Sequence, residues 1–196
     1  MVHTTGTTPI LYTLPVISIP NPSGRPRFIS ESFEIALELE KLYTEPSLFP
    51  PGSHGLQLMF KDFNFHRVNG CFGLLFVPLI VGNLRPASVP YFLRTRQVQF
   101  GNLAELCPVG SEKREEEFKK LKDNLDTIDG MLRRNPGGGK WFMGDQISLA
   151  DLGLGSEFIF VKQMGLKEDW ERISQWNGGR WKALVDNLVP YMAADI

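Results

Sequence analysis

The stretch Tyr12–Ala36, "YTLPVISIPNPSGRPRFISESFEIA", decides how the beginning of the chain folds. Pro9, Pro15, Pro20, Pro22 and Pro26 exclude a helix here, because each fixes φ and removes a backbone donor. Between "LPVISI" and "RPRFIS" lies "PNPSG". Its Pro presets φ, its Asn and Ser bond their own backbone, and its Gly relieves steric limits, which together make a turn. The pattern predicts a β-hairpin with strands near 14–19 and 26–29. The period then changes. In "SESFEIALELEKLY", Ile35, Leu39, Leu42 and Tyr43 recur at i, i+4, i+7 and i+8, one face of a helix. That helix starts between Ser30 and Ser32 and stops before Pro46. "TEPSLFPPG" reads as a rigid linker and places a domain boundary near residue 50, with domains 1–50 and 51–196.

Beyond residue 52 the pattern is helical almost throughout, with helices predicted near 53–69, 86–106, 111–134, 148–164 and 178–192 and a short one near 167–174. In 111–134, Ser111 reads as the N-cap and Phe118, Leu121, Leu125, Ile128 and Leu132 make the apolar stripe. Acidic and basic residues balance on its other side, with Glu115–Lys119 and Glu116–Lys120 at i,i+4, so that face reads as solvated. "RRNPGGGKWFMGD" is a loop, and its GGGK lacks the spacing and the following Ser or Thr of a phosphate loop. "ISLADL", Ile147–Leu152, carries a capping box. Ser148 serves as N-cap, Asp151 reaches back from N3, and Ile147 with Leu152 forms a hydrophobic staple. Trp141, Trp170, Trp176 and Trp181 read as packing anchors.

With 196 residues the chain holds one domain or two small ones. A net charge of −1 removes the electrostatic footprint of a nucleic-acid binder. Cys71 and Cys107 form no CxxC pair and are expected as free thiols. His3, His54 and His66 have no ligand spacing, so no metal is expected. The N-terminus has no positive n-region and no apolar core, so it does not read as a signal peptide. The most apolar run, Cys71–Val81, is too short to span a bilayer and contains Pro78; it is expected to be a buried helix end followed by a turn. A cytoplasmic protein without membrane or nucleic-acid partners is the expectation.

Three pieces stand in order: "YTLPVI", a proline opening a strand; "ISESFEIA", a Glu-Ser pair at a helix start; and an all-helical region with a capping box. This order resembles the glutathione S-transferase family. The blocks "YTLPVISIPNPSGRPRFISESFEIA", "SLFPPG" and "YFLRTRQVQFG" bring it closest to fungal transferases of the etherase-related type. The resemblance implies a mainly α fold: a partial thioredoxin-like hairpin plus helix, then the all-α C-terminal domain. It implies glutathione as co-substrate, a small hydrophobic electrophile as second partner, and a homodimer as an available assembly. Pro15 would follow a cis bond, and Leu14 would pair its backbone with the cysteinyl part of glutathione as an added strand does. The γ-glutamyl carboxylate would sit at the helix N-terminus, where free N–H groups favour an anion. Ser32 would add a hydroxyl and Glu31 would face the ammonium. From the residues alone, Ser30–Ser32 equally read as a helix cap. Tyr91 and Arg94, with Arg96, resemble a block of the domain that supplies the substrate pocket, and they equally read as packing and surface pairs. Phe60, Phe63 and Phe72 read as pocket or as core. In the resemblance the Ser148–Asp151 box serves folding.

The family pattern places a β-α-β unit before "YTLPVI", and such a unit takes ~30 residues or more. Thirteen positions precede Leu14, so the glutathione domain is expected to be incomplete. No counterpart of the thiolate-stabilising residue is found: Ser23 lies in a turn and Tyr12 just before the proline strand. No catalytic residue is therefore assigned. The expectation is a transferase-like protein with impaired thiolate chemistry, or else a non-catalytic ligand-binding or structural protein on the same fold.

Overall fold

The computed structural model describes residues 14–192; Tyr12 and His3 lie outside them. The chain forms two compact units, Met1–Phe49 and Pro50–Ile196. The fold is mainly α, as expected, with a small hairpin-and-helix unit and a larger all-helical one.

In the first unit, β1 (Val16–Ile19) and β2 (Arg27–Ser30) pair antiparallel, with Val16 opposite Ser30 and Ile19 opposite Arg27. Asn21 makes the turn. Its carbonyl accepts from the Gly24 N–H at 3.2 Å, and its Oδ1 accepts from the N–H and hydroxyl of Ser23. α1 (Ser32–Leu42) follows and packs on both strands. The expected apolar stripe is corrected: α1 buries Phe33, Ile35 and Ala36, while Leu39, Leu42 and Tyr43 are exposed. Two strands offer the helix only a narrow face, which Phe33, Ile35 and Ala36 of its first turns cover. The linker is not a plain spacer. Glu40 accepts from the Leu48 N–H at 3.1 Å and from the Ser47 hydroxyl, and Phe49 meets Phe33 edge-on at 5.9 Å.

The second unit opens with α2 (His54–Asn64), a π turn (Phe65–Asn69), α3 (Gly70–Phe76) and a 3-10 turn (Val77–Asn83) in one unbroken run. The predicted end near residue 69 is thus corrected. Gly73 does not stop the helix; it admits the Phe100 ring, which a Cβ there would meet at 3.2 Å. The 30-residue run is long and apolar enough to cross a membrane by length and composition. In this fold it supplies Val68, Leu75 and Phe76, each at most 1% exposed, to the bundle core. α4 (Val89–Phe100) is shorter than predicted, because Pro86 opens a 3-10 turn before it and Gly101, at φ 74°, ends it. α5 (Glu112–Leu132), α6 (Leu149–Met164), α7 (Lys167–Ser174) and α8 (Arg180–Met192) fall close to their predicted positions. Leu121 and Leu125 of α5, Leu154, Phe158 and Val161 of α6, and Trp181 of α8 fill the core, with Trp181 stacked on Phe158 at 5.4 Å. Cys71 and Cys107 are free and buried.

The solvated-face reading of α5 is corrected at Arg114, Glu117 and Asp129, which are buried. Arg114 is buried and donates to Asp169 of α7 at 2.6 Å, to the Leu75 carbonyl at 2.9 Å and to the Cys107 carbonyl at 3.4 Å. Its guanidinium lies over the Phe118 ring at 5.1 Å. This one side chain ties α3, α5 and α7 together.

Candidate functional site

The four residues expected to meet glutathione gather at one end of the hairpin. The pairing ends with Val16 opposite Ser30, so Leu14–Pro15 and Glu31–Ser32 continue the two strands from the same end of the hairpin. The Leu14–Pro15 peptide is cis. Leu14 is 91% exposed, so its backbone lies open at the strand end. Glu31 is the N-cap of α1 and Ser32 its first residue. Neither side chain makes a hydrogen bond among the described residues, and the Glu31 side chain does not cap the helix. Glu31 has φ 73°, in the left-handed half of backbone space. Such a conformation in a non-glycine residue costs ~1–3 kcal/mol and concentrates at functional sites. The bend turns the chain from β2 into α1 within one residue and leaves the first N–H groups of the helix without intrahelical partners. The result is an exposed rim with a free backbone edge, an unengaged hydroxyl, an unengaged carboxylate and helix N–H donors. It suits a zwitterionic, peptide-like ligand.

The capping box is a structural anchor. Asp151 is fully buried and belongs to a box in which both arms are present. Its Oδ2 accepts from the Ser148 N–H at 2.9 Å and the Ser148 hydroxyl at 2.7 Å, and its Oδ1 accepts from the Phe142 N–H at 2.8 Å. Burial pushes its carboxyl upward and the donors from Phe142 and Ser148 pull it back, with a net rise. Sequence reasoning missed a further cap: Gln57 of α2 accepts from the Ala150 N–H at 2.8 Å. A cavity of about 290 Å³ borders Trp141, Phe142, Asp151, Arg180 and Trp181. Of its charged groups, Asp151 is committed to the box and Arg180 to Asp129, and Lys140 lies over the Trp141 ring at 4.8 Å.

Tyr91 and Arg94 are brought together on α4, with the guanidinium over the ring at 5.7 Å, and Arg96 lies likewise over Phe92. Tyr91 and Arg94 border neither this cavity nor the one around Glu157 described below. Phe72 is core and also borders that second cavity, whereas Phe60 and Phe63 pack against the core. Among the described residues no three His, Cys, Asp or Glu side chains converge as a metal site would require.

Comparison with known proteins gives these features a lineage. The family model described as "Glutathione S-transferase, C-terminal domain" matches residues 55–191. A relative, the glutathione S-transferase-like protein ustS of Aspergillus flavus, is 29% identical over 192 residues, 92% of this chain and 68% of that protein. The glutathione transferase GSTFuA3 of Phanerochaete chrysosporium is 32% identical, with a TM-score of 0.83 over 95% of this chain and 73% of that one. The glutathione S-transferase CsGST63524 of Ceriporiopsis subvermispora, solved in complex with glutathione, is 28% identical, with a TM-score of 0.85 over 95% of this chain and 75% of that one. The all-helical unit and the hairpin that precedes it thus belong to a chain of the glutathione S-transferase family.

Proposed function

We propose that this protein binds glutathione at the rim formed by Leu14, Pro15, Glu31 and Ser32. The carrying observation is that Glu31 and Ser32 stand unengaged at the start of α1, at the same end of the hairpin as the open Leu14 backbone. The Leu14 backbone would add the cysteinyl segment as an edge strand. Ser32 and the N–H groups of α1 would take the γ-glutamyl carboxylate, and Glu31 its ammonium. Support comes from the related fungal structures solved in complex with glutathione. The family reaction is attack of the glutathione thiolate on a small hydrophobic electrophile. None of the described residues is assigned the task of lowering the thiol pKa. Our reading is therefore a glutathione-binding transferase-like protein whose conjugating turnover, as this polypeptide, is at background.

Calorimetry or NMR amide shifts on wild type and Ser32→Ala test the reading. The expected dissociation constant is in the ~mM region, equivalent to about −4 kcal/mol. Ser32→Ala removes a hydrogen bond to a charged group, worth roughly 1.5–3 kcal/mol, and should weaken binding about tenfold or more. Equal affinity in the two proteins would reduce Glu31 and Ser32 to a helix start. Absence of binding in both would favour the non-catalytic alternative.

A further inference from the structure

The helical unit holds a second cavity, of about 250 Å³, between the π turn with α3 on one side and α6 on the other. Phe72, Val77 and Phe160 form its apolar walls, and Asn69, Ser156 and Glu157 its polar edge. A cavity of about 150 Å³ takes benzene, so this one has room for a two-ring molecule.

Glu157 does not fit its surroundings as a carboxylate. Its Oε1 accepts from Asn64 Nδ2 at 2.7 Å and from Asn69 Nδ2 at 3.2 Å. Its Oε2 is buried without a partner, and so is Asn64 Oδ1. Two orphan acceptors on two groups already joined by one hydrogen bond are one proton short. A carboxylic acid and a primary amide complement each other as a ring: the amide N–H donates to the acid carbonyl, and the acid O–H donates to the amide carbonyl. One proton on Oε2 satisfies both orphans. The backbone is shaped for this cluster. Residues five apart on an α-helix point about 140° from each other. The π turn, with its i→i+5 repeat, instead directs Asn64 and Asn69 at the same carboxyl.

We propose that this cavity is a binding site for a small uncharged aromatic molecule, closed on its polar side by a proton shared between Glu157 and Asn64, and that loss of the proton expels the ligand. Without it, Glu157 Oε2 and Asn64 Oδ1 both lack a donor, and the carboxylate recruits water into the cavity, because a bare buried charge is costly. An apolar ligand then has to displace that water. Burial pushes the Glu157 carboxyl up to about 7, against the opposing pull of the Asn69 and Asn64 amides, so the proton is exchanged near neutrality. α6 itself carries Asp151, held in the capping box, and exposed Lys162, and Glu168 of α7 is exposed. α3 and the 3-10 turn after it hold no Asp, Glu, Lys, Arg or His. His54, Lys61, Asp62, His66 and Arg67 of α2 and the π turn are exposed. On α7 and α8, Asp169 pairs with Arg114, Arg172 with Glu115, Lys167 with Glu171, Arg180 with Asp129 and Lys182 with Asp186. None of these acts on Glu157. The proposal is independent of glutathione binding, so either can fail alone.

The test is a titration of the full chain with 2-naphthylmethanol, which carries no ionisable group in this range, at about pH 5.5 and about pH 8.5. If only the protonated site is competent, affinity falls with the competent fraction, roughly thirtyfold between the two conditions. Glu157→Gln keeps the ring as an amide–amide pair without a titrating proton, so it should bind equally at both. Ser156→Trp, at the exposed mouth, should block binding at both. Carbon-13 NMR of the Glu157 carboxyl in the folded wild type should show a midpoint near the same neutrality, and this reading stands whether or not a variant folds. Wild-type binding without pH dependence, no binding at the lower pH, or a Glu157 carboxyl that titrates with ordinary glutamates would each overturn the proposal.

Discussion

Asp151→Ala should be far more costly than Ser148→Ala, the reverse of what the capping box suggests by itself. In isolation the box puts the larger share on the cap residue, ~1 kcal/mol for Ser148→Ala within a usual range of about 0.5–2. In the folded protein Asp151 takes three donors, the Phe142 N–H, the Ser148 N–H and the Ser148 hydroxyl, at 2.7–2.9 Å in a fully buried site. Alanine strands all three. Each hydrogen bond to a charged group is worth roughly 1.5–3 kcal/mol. Part of that sum is returned, because burying the carboxylate is itself costly and pushes its pKa upward. A net loss of about 3–4 kcal/mol remains, a large share of a typical stability of about 5–15 kcal/mol. Urea denaturation followed by tryptophan fluorescence measures it, with Trp141 next to the loop that Asp151 holds. The slope should stay unchanged while the midpoint falls. An Asp151→Ala loss below that of Ser148→Ala, at unchanged slope, would show that the Phe142 and Ser148 amides find water instead and would refute the reasoning.

Asp169→Ala leaves the buried Arg114 guanidinium without its carboxylate and should cost about 3–5 kcal/mol, whereas replacing both partners by Met and Leu should cost less than that single change; the same urea measurement compares them. For Glu157 the sign follows from a folded pKa raised from 4.5 to about 7. The fold favours the protonated form, so its contribution is intact below 4.5 and is lost as pH rises through about 7. At about 1.4 kcal/mol per tenfold the loss is ~3 kcal/mol, and the difference between wild type and Glu157→Gln across that window isolates this group from the other carboxyls.

What was legible in the sequence was local. The hairpin follows from "PNPSG" between two β-rich runs, and α6 begins where Ser148 and Asp151 said it would, because turns and boxes are set by neighbours within four residues. The errors arose where a distant group decides. The first long helix was expected to end near residue 69, but the run continues to Asn83, and at Gly73 the missing side chain makes room for Phe100. Arg114 sat among balanced charges and was read as surface, yet its carboxylate lies 55 residues on. Gln57 gave no signal as a cap for a backbone N–H 93 residues away. Tyr91 and Arg94 drew notice by resemblance, and the contact between them is the ordinary i,i+3 neighbourhood of one helix. The candidate glutathione rim came from resemblance too. Periodicity identifies α1 but does not say that Glu31 would bend the backbone and leave its carboxylate unengaged.

Several polar residues that periodicity overlooked join one pair of helices. α6 runs alongside the His54–Asn83 helical run in the same direction, and polar contacts join the two at three heights. Gln57 caps Ala150 at the start, Asn64 and Asn69 meet Glu157 midway, and Asn83 donates to the Met164 carbonyl at 3.4 Å at the end. Apolar side chains between two helices tolerate repacking with modest losses. A slide of one turn, about 5.4 Å, would break all three polar contacts together and strand the buried groups of Gln57, Asn64 and Glu157. Only one alignment satisfies them, so the gap between the helices has a defined shape rather than an average one. The cavity beside Glu157 lies in that gap. The middle contact is also the one whose proton exchanges near neutral pH. The outer two contacts hold the walls while the middle one changes state, so ionising Glu157 should alter the cavity's polarity without moving α6.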